Sequence, residues 1–201
     1  MTTFITSDLH FGHKNILKYM PLSRLAGSSP EMDQLIIDTI NDNVRQNDEL
    51  WILGDVFFYH DQDECRHILG RINCKNIHLV LGNHDSIIKK YPSLAAMFKS
   101  VQDYKVLRYN KRKIVLSHFP IHSWDSKSHG SIHFHGHQHS HKMVMENRMD
   151  IGWDSILGGG IWKLDNAIAV VDSFNQSWFE KTIDKIIGFL LKLKSVDTHR
   201  N

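Results

Sequence analysis

The sequence predicts an α/β fold with a two-sheet core and helices outside it. Two observations carry that expectation: the first half alternates short β-branched runs with helical patterns, and the chain from Val101 onward is rich in strands. A third points to a site. Five polar segments, SDLH, LGD, GNHD, SHFP and GHQH, each follow an apolar run that reads as a strand. Each should therefore lie at a strand's carboxyl end, where open α/β sheets place their ligands.

Taken in order, Thr3 to Ser7 alternates and is β-branched, a first strand that delivers Asp8. A short helix around Ile16 to Tyr19 stops at Pro21. After the loop from Leu22 to Ser29, Ser29-Pro30-Glu31 caps a helix with Pro at its first position, and Met32, Ile36, Ile40 and Val44 recur at helical spacing and should face the sheet. Glu49 to Leu53 is a second strand, ending at Gly54-Asp55. A helix spans Asp61 to Leu69, and Ile77 to Leu81 is a third strand, ending at GNHD. Ser86 to Phe98 is helical in part, broken at Pro92. Two alternating runs then join at Tyr109-Asn110-Lys111 as a hairpin. Ile132 to His135 and Met149 to Gly152 are further strands, Gly158-Gly159-Gly160 is a loop, and Ala167 to Val171 (AIAVV) reads as the last strand. Trp178 to Val196 is an amphipathic helix with Phe179, Ile183, Ile186, Ile187, Leu190 and Leu193 on one face. The expected division is a domain over 1–172 and a C-terminal helix and tail over 173–201.

At 201 residues, 41% hydrophobic and 23% charged, the chain suits one globular domain with its own core, and disorder is not indicated. A formal charge of +2 gives no strong pull towards nucleic acid. Lys105, Arg108, Lys111, Arg112 and Lys113 cluster on the hairpin and read as a solvated tip. About half of the 15 histidines fall between His118 and His141, which favours metal or phosphate chemistry over packing. Cys65 and Cys74 form no CxxC pattern and read as reduced core residues. With no basic leader before Asp8 and no apolar run near the roughly 18 to 20 residues of a membrane span, a cytoplasmic protein is expected.

Alone, SDLH or GNHD is an ordinary turn and HFHGHQHSH a tract that picks up zinc by chance. Together they supply two carboxylates, an amide and several imidazoles: Asp8, His10, Asp55, Asn83, His118, His137 and His139, with His84 left over. This donor mixture suits Mn²⁺, with Fe, Zn²⁺ or Ni²⁺ as alternatives. The five segments, in this order, resemble the signature of the calcineurin-like metallophosphoesterases, over about Thr3 to Asp172. SDLHFGHKNI, SHFPIHSW and MDIGWD add a similarity to small bacterial and phage members.

That resemblance implies a four-layer αββα sandwich with two mixed sheets and a centre of two divalent ions. One ion would take Asp8, His10, Asp55 and His139, the other Asp55, Asn83, His118 and His137, with the two oxygens of Asp55 bridging ions about 3.5 to 4 Å apart. Metal-activated hydroxide would attack a phosphate mono- or diester, and His84 would steady the transition state or protonate the departing alkoxide. The expected partner is a small phosphorylated substrate: a nucleotide, a cyclic nucleotide or a nucleic-acid end. The C-terminal helix, beyond the matched region, reads as docking on the domain or as a dimer contact. Phe58 stands where the protein phosphatases of this superfamily carry a second Asp, which leaves the partner of His84 open, Asp85 being a candidate by adjacency. His13, Asn15, His122 and Trp124 are expected near the pocket, and His135 as a supporting group or alternative ligand. The rival reading is a metal-binding scaffold without catalysis, which would be expected to have lost His84 or a ligand.

Overall fold

The computed structural model describes residues 1–139, 144–156 and 159–197, with side chains along the last helix described through Phe179 and at Ile183. The first sheet has a parallel core of β1 (Thr3–Thr6), β2 (Glu49–Ile52), β3 (Asn76–Val80) and β4 (Ser100–Gln102). Its crossovers contain α1 (Ile16–Tyr19), α2 (Ser29–Asn43), α3 (Gln62–Gly70), α4 (Ser86–Lys90) and α5 (Pro92–Ala95). Strand periodicity sorts the side chains. Phe4, Leu50, Ile52, Ile77 and Leu79 point to the helices, while Ile5, Trp51, Leu53 and Val80 point to the second sheet. Helix α2 starts one residue earlier than expected, because Ser28 supplies the cap for Glu31 N–H; Met32, Ile36 and Ile40 are buried as foreseen.

The second sheet comprises β5 (Tyr104–Tyr109), β6 (Arg112–Ser117), β7 (Ile132–His135), β8 (Val144–Met145) and β9 (Arg148–Asp150), in the order β5-β6-β7-β9-β8. β6, β7 and β9 are parallel, and both edge strands antiparallel. Asn110 and Lys111 turn the hairpin with φ of 48° and 66°, the pair of left-handed residues that two-residue hairpin loops demand. Ile114, Leu116, Ile132, Phe134 and Met149 meet the first sheet's inner face to form the second core. The result is a four-layer α/β sandwich with two mixed sheets, as expected. Of the hairpin's basic cluster, Arg112 pairs with Asp172 and Lys113 with Asp125.

The chain ends differently from its reading. After β10 (Trp162–Lys163), which pairs antiparallel with β1, one helix, α6, runs over Leu164–Asp197. Ala167 to Val171 is therefore helix, not the last strand, because a short apolar run is ambiguous between a strand and one buried helical turn. Leu164, Ala167 and Val171 follow helical spacing and enter the inter-sheet core. Position 172 falls in mid-helix. α6 meets Arg112 at the start of β6 through Asp172, and Asn147 just before β9 through Asn175, so it lies under the strands' amino ends. Most of the apolar face expected after Trp178, including Ile186, Ile187, Leu190 and Leu193, lies outside the described side chains. No helix among the described residues is long and apolar enough to cross a membrane.

Candidate metal centre

Opposite α6, the strands' carboxyl ends bring all seven expected ligands and His84 to one place. The β1 and β2 ladder continues past the strands: Leu53 N–H bonds Thr6 O, Asp8 N–H bonds Gly54 O, and His10 N–H bonds Asp55 O. Five of the expected ligands, Asp8, His10, Asp55, His137 and His139, hold φ between 46° and 71°, the left-handed region that costs a non-glycine residue about 1 kcal/mol or more each. Strain thus gathers where the site is. Close approach is enforced by glycine: a Cβ on Gly54, itself at φ 91°, would lie 2.6 Å from both Gly82 N and His118 Nδ1.

The donors form two groups, each within 4.8 Å: Asp8, His10 and His139, and Asp55, His118 and His137. In the first, Asp8 Oδ1 lies 3.9 Å from His10 Nε2 and 3.7 Å from His139 Nε2, and the two imidazole nitrogens are 3.2 Å apart. In the second, His118 Nε2 lies 2.9 Å from Asn83 Oδ1 and 3.2 Å from His137 Nδ1. Asp55 joins them by one atom. Its Oδ2 is 3.8 Å from His10 Nε2 and 3.5 Å from His118 Nε2, whereas Oδ1 is taken by the His84 backbone N–H at 2.8 Å.

The donor set fits divalent cations. Asp8 Oδ1 is fully buried without a hydrogen-bond donor among the described residues, a costly state unless a cation meets it. Burial pushes the Asp8 carboxyl up and, with help from His139 and Arg24, the His10 imidazole well down. His10, and His137 which burial also lowers, are therefore favoured in the neutral form, the one that ligates. His118 Nδ1 donates to Leu53 O at 2.8 Å, which leaves Nε2 for a metal. For His139, burial lowers the pKa but the Asp154 and Asp8 carboxylates together outweigh it, and the net direction is upward.

The sequence reading missed the support behind the first group. Asp154 accepts from His139 Nδ1 at 2.7 Å and from Arg24 Nε and Nη2 at 2.8 Å, and the Ser23 hydroxyl also donates to it. Arg24 then reaches the carbonyls of Asp8 and Leu9. This buried relay sets the tautomer and aim of His139 and the path of the Asp8 loop. Asp154 stands in the MDIGWD string that was noticed, but nothing there pointed to His139.

His84 is exposed, its Nε2 4.0 Å from Asp55 Oδ2 and its ring 4.8 Å from Phe58. Asp85 is not its partner: that buried carboxylate accepts the N–H groups of Asp55, Val56 and Gly82, clamping the two ligand loops together. His13 packs against Phe58, ring centroids 3.6 Å apart and tilted, and so does lie beside the centre, but His135 turns its Nδ1 to Gly136 O and joins neither group. The left-handed backbone at His137 breaks the strand alternation that had put the two on one face. Trp124 instead bonds Ser131, and His122 lines a separate cleft with Lys127 and Arg148.

With this geometry established, comparison with known proteins decides the family. The family model described as calcineurin-like phosphoesterase matches residues 1–159. The chain belongs to that family. It is similar to an uncharacterized protein of Methanocaldococcus jannaschii, 30% identical over 141 residues that make up 70% of each chain. The gene 66 protein of Mycobacterium phage L5 is 29% identical over 69% of this chain and 77% of its own. Among solved structures, a protein of unknown function from Aquifex aeolicus superposes with a TM-score of 0.61 at 22% identity, covering 77% of this chain and 91% of that one. Membership in the calcineurin-like phosphoesterases implies metal-dependent hydrolysis of phosphoesters.

Proposed function

We propose that this phosphoesterase works with two divalent cations, Mn²⁺ foremost, on mono- or diesters of the nucleotide type. Asp8, His10, Asp55 and His139 would hold one ion, and Asp55, Asn83, His118 and His137 the other. The observation that carries the reading is the single oxygen, Asp55 Oδ2, facing both groups at 3.8 and 3.5 Å. When bound, such a pair lowers the pKa of water and neutralises phosphoryl oxygens. The chain supplies the rest. Asp55 and Asp8 bring the negative charge that balances the cations, Asp154 and Arg24 keep His139 aimed, and exposed His84 gives its Nε2 proton to the departing ester oxygen. A metal-binding scaffold would have no use for that last group.

The decisive experiment measures metal content and ester hydrolysis on one sample. Protein stripped by chelator and reloaded with Mn²⁺ is expected to bind two ions per chain and regain turnover; one ion, or turnover indifferent to metal, would overturn the reading. Two buried free thiols support a reducing, cytoplasmic setting. Residues 1–172 would form the phosphoesterase domain, and α6 beyond it would pair two copies, supported by exposed Phe174, Phe179 and Ile183. Light scattering tests that pairing, and a monomer at every concentration rejects it.

A further inference from the structure

We infer that the substrate is a phosphodiester, with one organic arm in a cleft lined by Tyr104 and Phe119 and the other beside His84. The inference deepens the phosphoesterase reading above and rests on it. Two clefts open at the metal centre, and Asn83 lines both. One, about 110 Å³, has His84, Phe58, Tyr59 and His60 on its walls. The other, about 440 Å³, has His118, Leu81, Tyr104, Phe119 and Ile121. A phosphate monoester carries one organic group and would use one of these clefts. A diester carries two, one for each of the clefts that meet at Asn83.

The larger cleft suits a flat, uncharged ring such as a nucleobase. The Phe119 ring rests edge-on against two ligand imidazoles, 4.9 Å from His118 and 4.7 Å from His137. Its position is fixed by the same rings that would hold the metal, yet it remains 48% exposed, and Tyr104 41%. Two exposed aromatic side chains beside a catalytic centre are a stacking platform in want of a ring. Lys89 and Asp103 also line this cleft, and their opposite charges give no preference for a second phosphate. His84 assigns the leaving side: it lines only the smaller cleft of the two, so the ester oxygen that departs is the one attached there. In the reaction a water oxygen bonds to phosphorus and releases its proton to solvent. The phosphorus–oxygen bond on the His84 side breaks, and that oxygen takes a proton from His84 Nε2. An alcohol leaves from the small cleft, and a phosphate monoester remains against Phe119.

The test compares bis(4-nitrophenyl) phosphate with 4-nitrophenyl phosphate on the Mn²⁺-loaded protein. The diester is expected to be favoured in kcat/KM by about tenfold or more, and Tyr104→Ala and Phe119→Ala are each expected to cut that preference about tenfold, through KM. A preference for the monoester, or equal losses on both esters, would overturn the inference. Failure to cleave either ester would sink the phosphoesterase reading instead, and calorimetry on Mn²⁺-loaded His84→Ala protein then reads the cleft without turnover. Tighter binding of the diester, lost in the Phe119→Ala background, sustains the two-armed site; equal affinity for both esters rejects it.

Discussion

The two ligand groups share one carboxylate oxygen but are held by different means. Asp8 and His10 are 1% and 3% exposed, and the third member, His139, is backed by the buried Asp154 and Arg24. Asp55 and His118 are just as deeply set, at 2% and 1%, but their companions Asn83 and His137 face solvent. Behind this group stand backbone groups, Leu53 O on His118 and the His84 N–H on Asp55. One half of the centre is thus locked from behind by charged side chains, and the other is open towards both clefts. On the proposed function, the contrast would separate two duties: the first group would fix an ion firmly, and the second would meet the substrate.

The bond between the halves is the place to break that contrast most completely. Asp55→Asn keeps the Oδ1 acceptor for His84 N–H but removes the charge that both groups need. Turnover with Mn²⁺ is expected to fall about a thousandfold, with fewer than two ions per chain by elemental analysis. A variant that retained two ions and the parental rate would dissolve the distinction drawn above.

Next in size is the lock behind the first group. Arg24→Leu leaves Asp154 buried without its cation and the carbonyls of Asp8 and Leu9 without their donor. Both side chains are fully buried, so the loss should approach the roughly 3 to 5 kcal/mol typical of a broken internal ion pair, read from urea unfolding of the metal-free protein. Asp154→Asn is the gentler probe. It should weaken one of the two ions by about 10- to 100-fold and spare the other, since Asp154 touches a single ligand ring.

Why the ligands were legible and their lock was not follows from how each is encoded. Asp8, Asp55, Asn83, His118, His137 and His139 stand just past runs that read as strands, in segments that resemble a family signature, so local sequence marks them. Arg24 and Asp154 meet across 130 residues of sequence. Arg24 lies in a loop where a lone arginine reads as solvated, and only the tertiary fold buries it. Asp85 was misread for a related reason: adjacency suggested His84, but its oxygens serve the backbone of a loop 29 and 30 residues away. In α6 the error was one of period. Five apolar residues fit a strand and a helical turn equally well, and only docking under the sheets decides between them.

On the open side, His84→Ala should lower kcat about a hundredfold and leave the affinity for both ions unchanged, because its Nε2 is 4.0 Å from the nearest ligand oxygen and joins neither group. The expected split, catalysis lost and metal kept, is the reverse of that for Asp154→Asn, and the pair of variants measured together sharpens the contrast between the halves.

The smallest expected effect lies at the edge of the locked half. Asp33, itself buried, receives the Gly12 N–H at 3.0 Å and the Tyr59 hydroxyl at 2.6 Å, which ties the turn after His10 to helix α2. Tyr59→Phe removes one hydrogen bond to a carboxylate and leaves the other, so the turn stays anchored by Gly12. A loss of about 1.5 kcal/mol is expected from denaturant unfolding, with metal content unchanged. Should this variant also shed an ion, the lock would extend beyond Asp154 and Arg24 to the Gly12 turn, and the first group would be held by a wider frame than the side chains directly behind it.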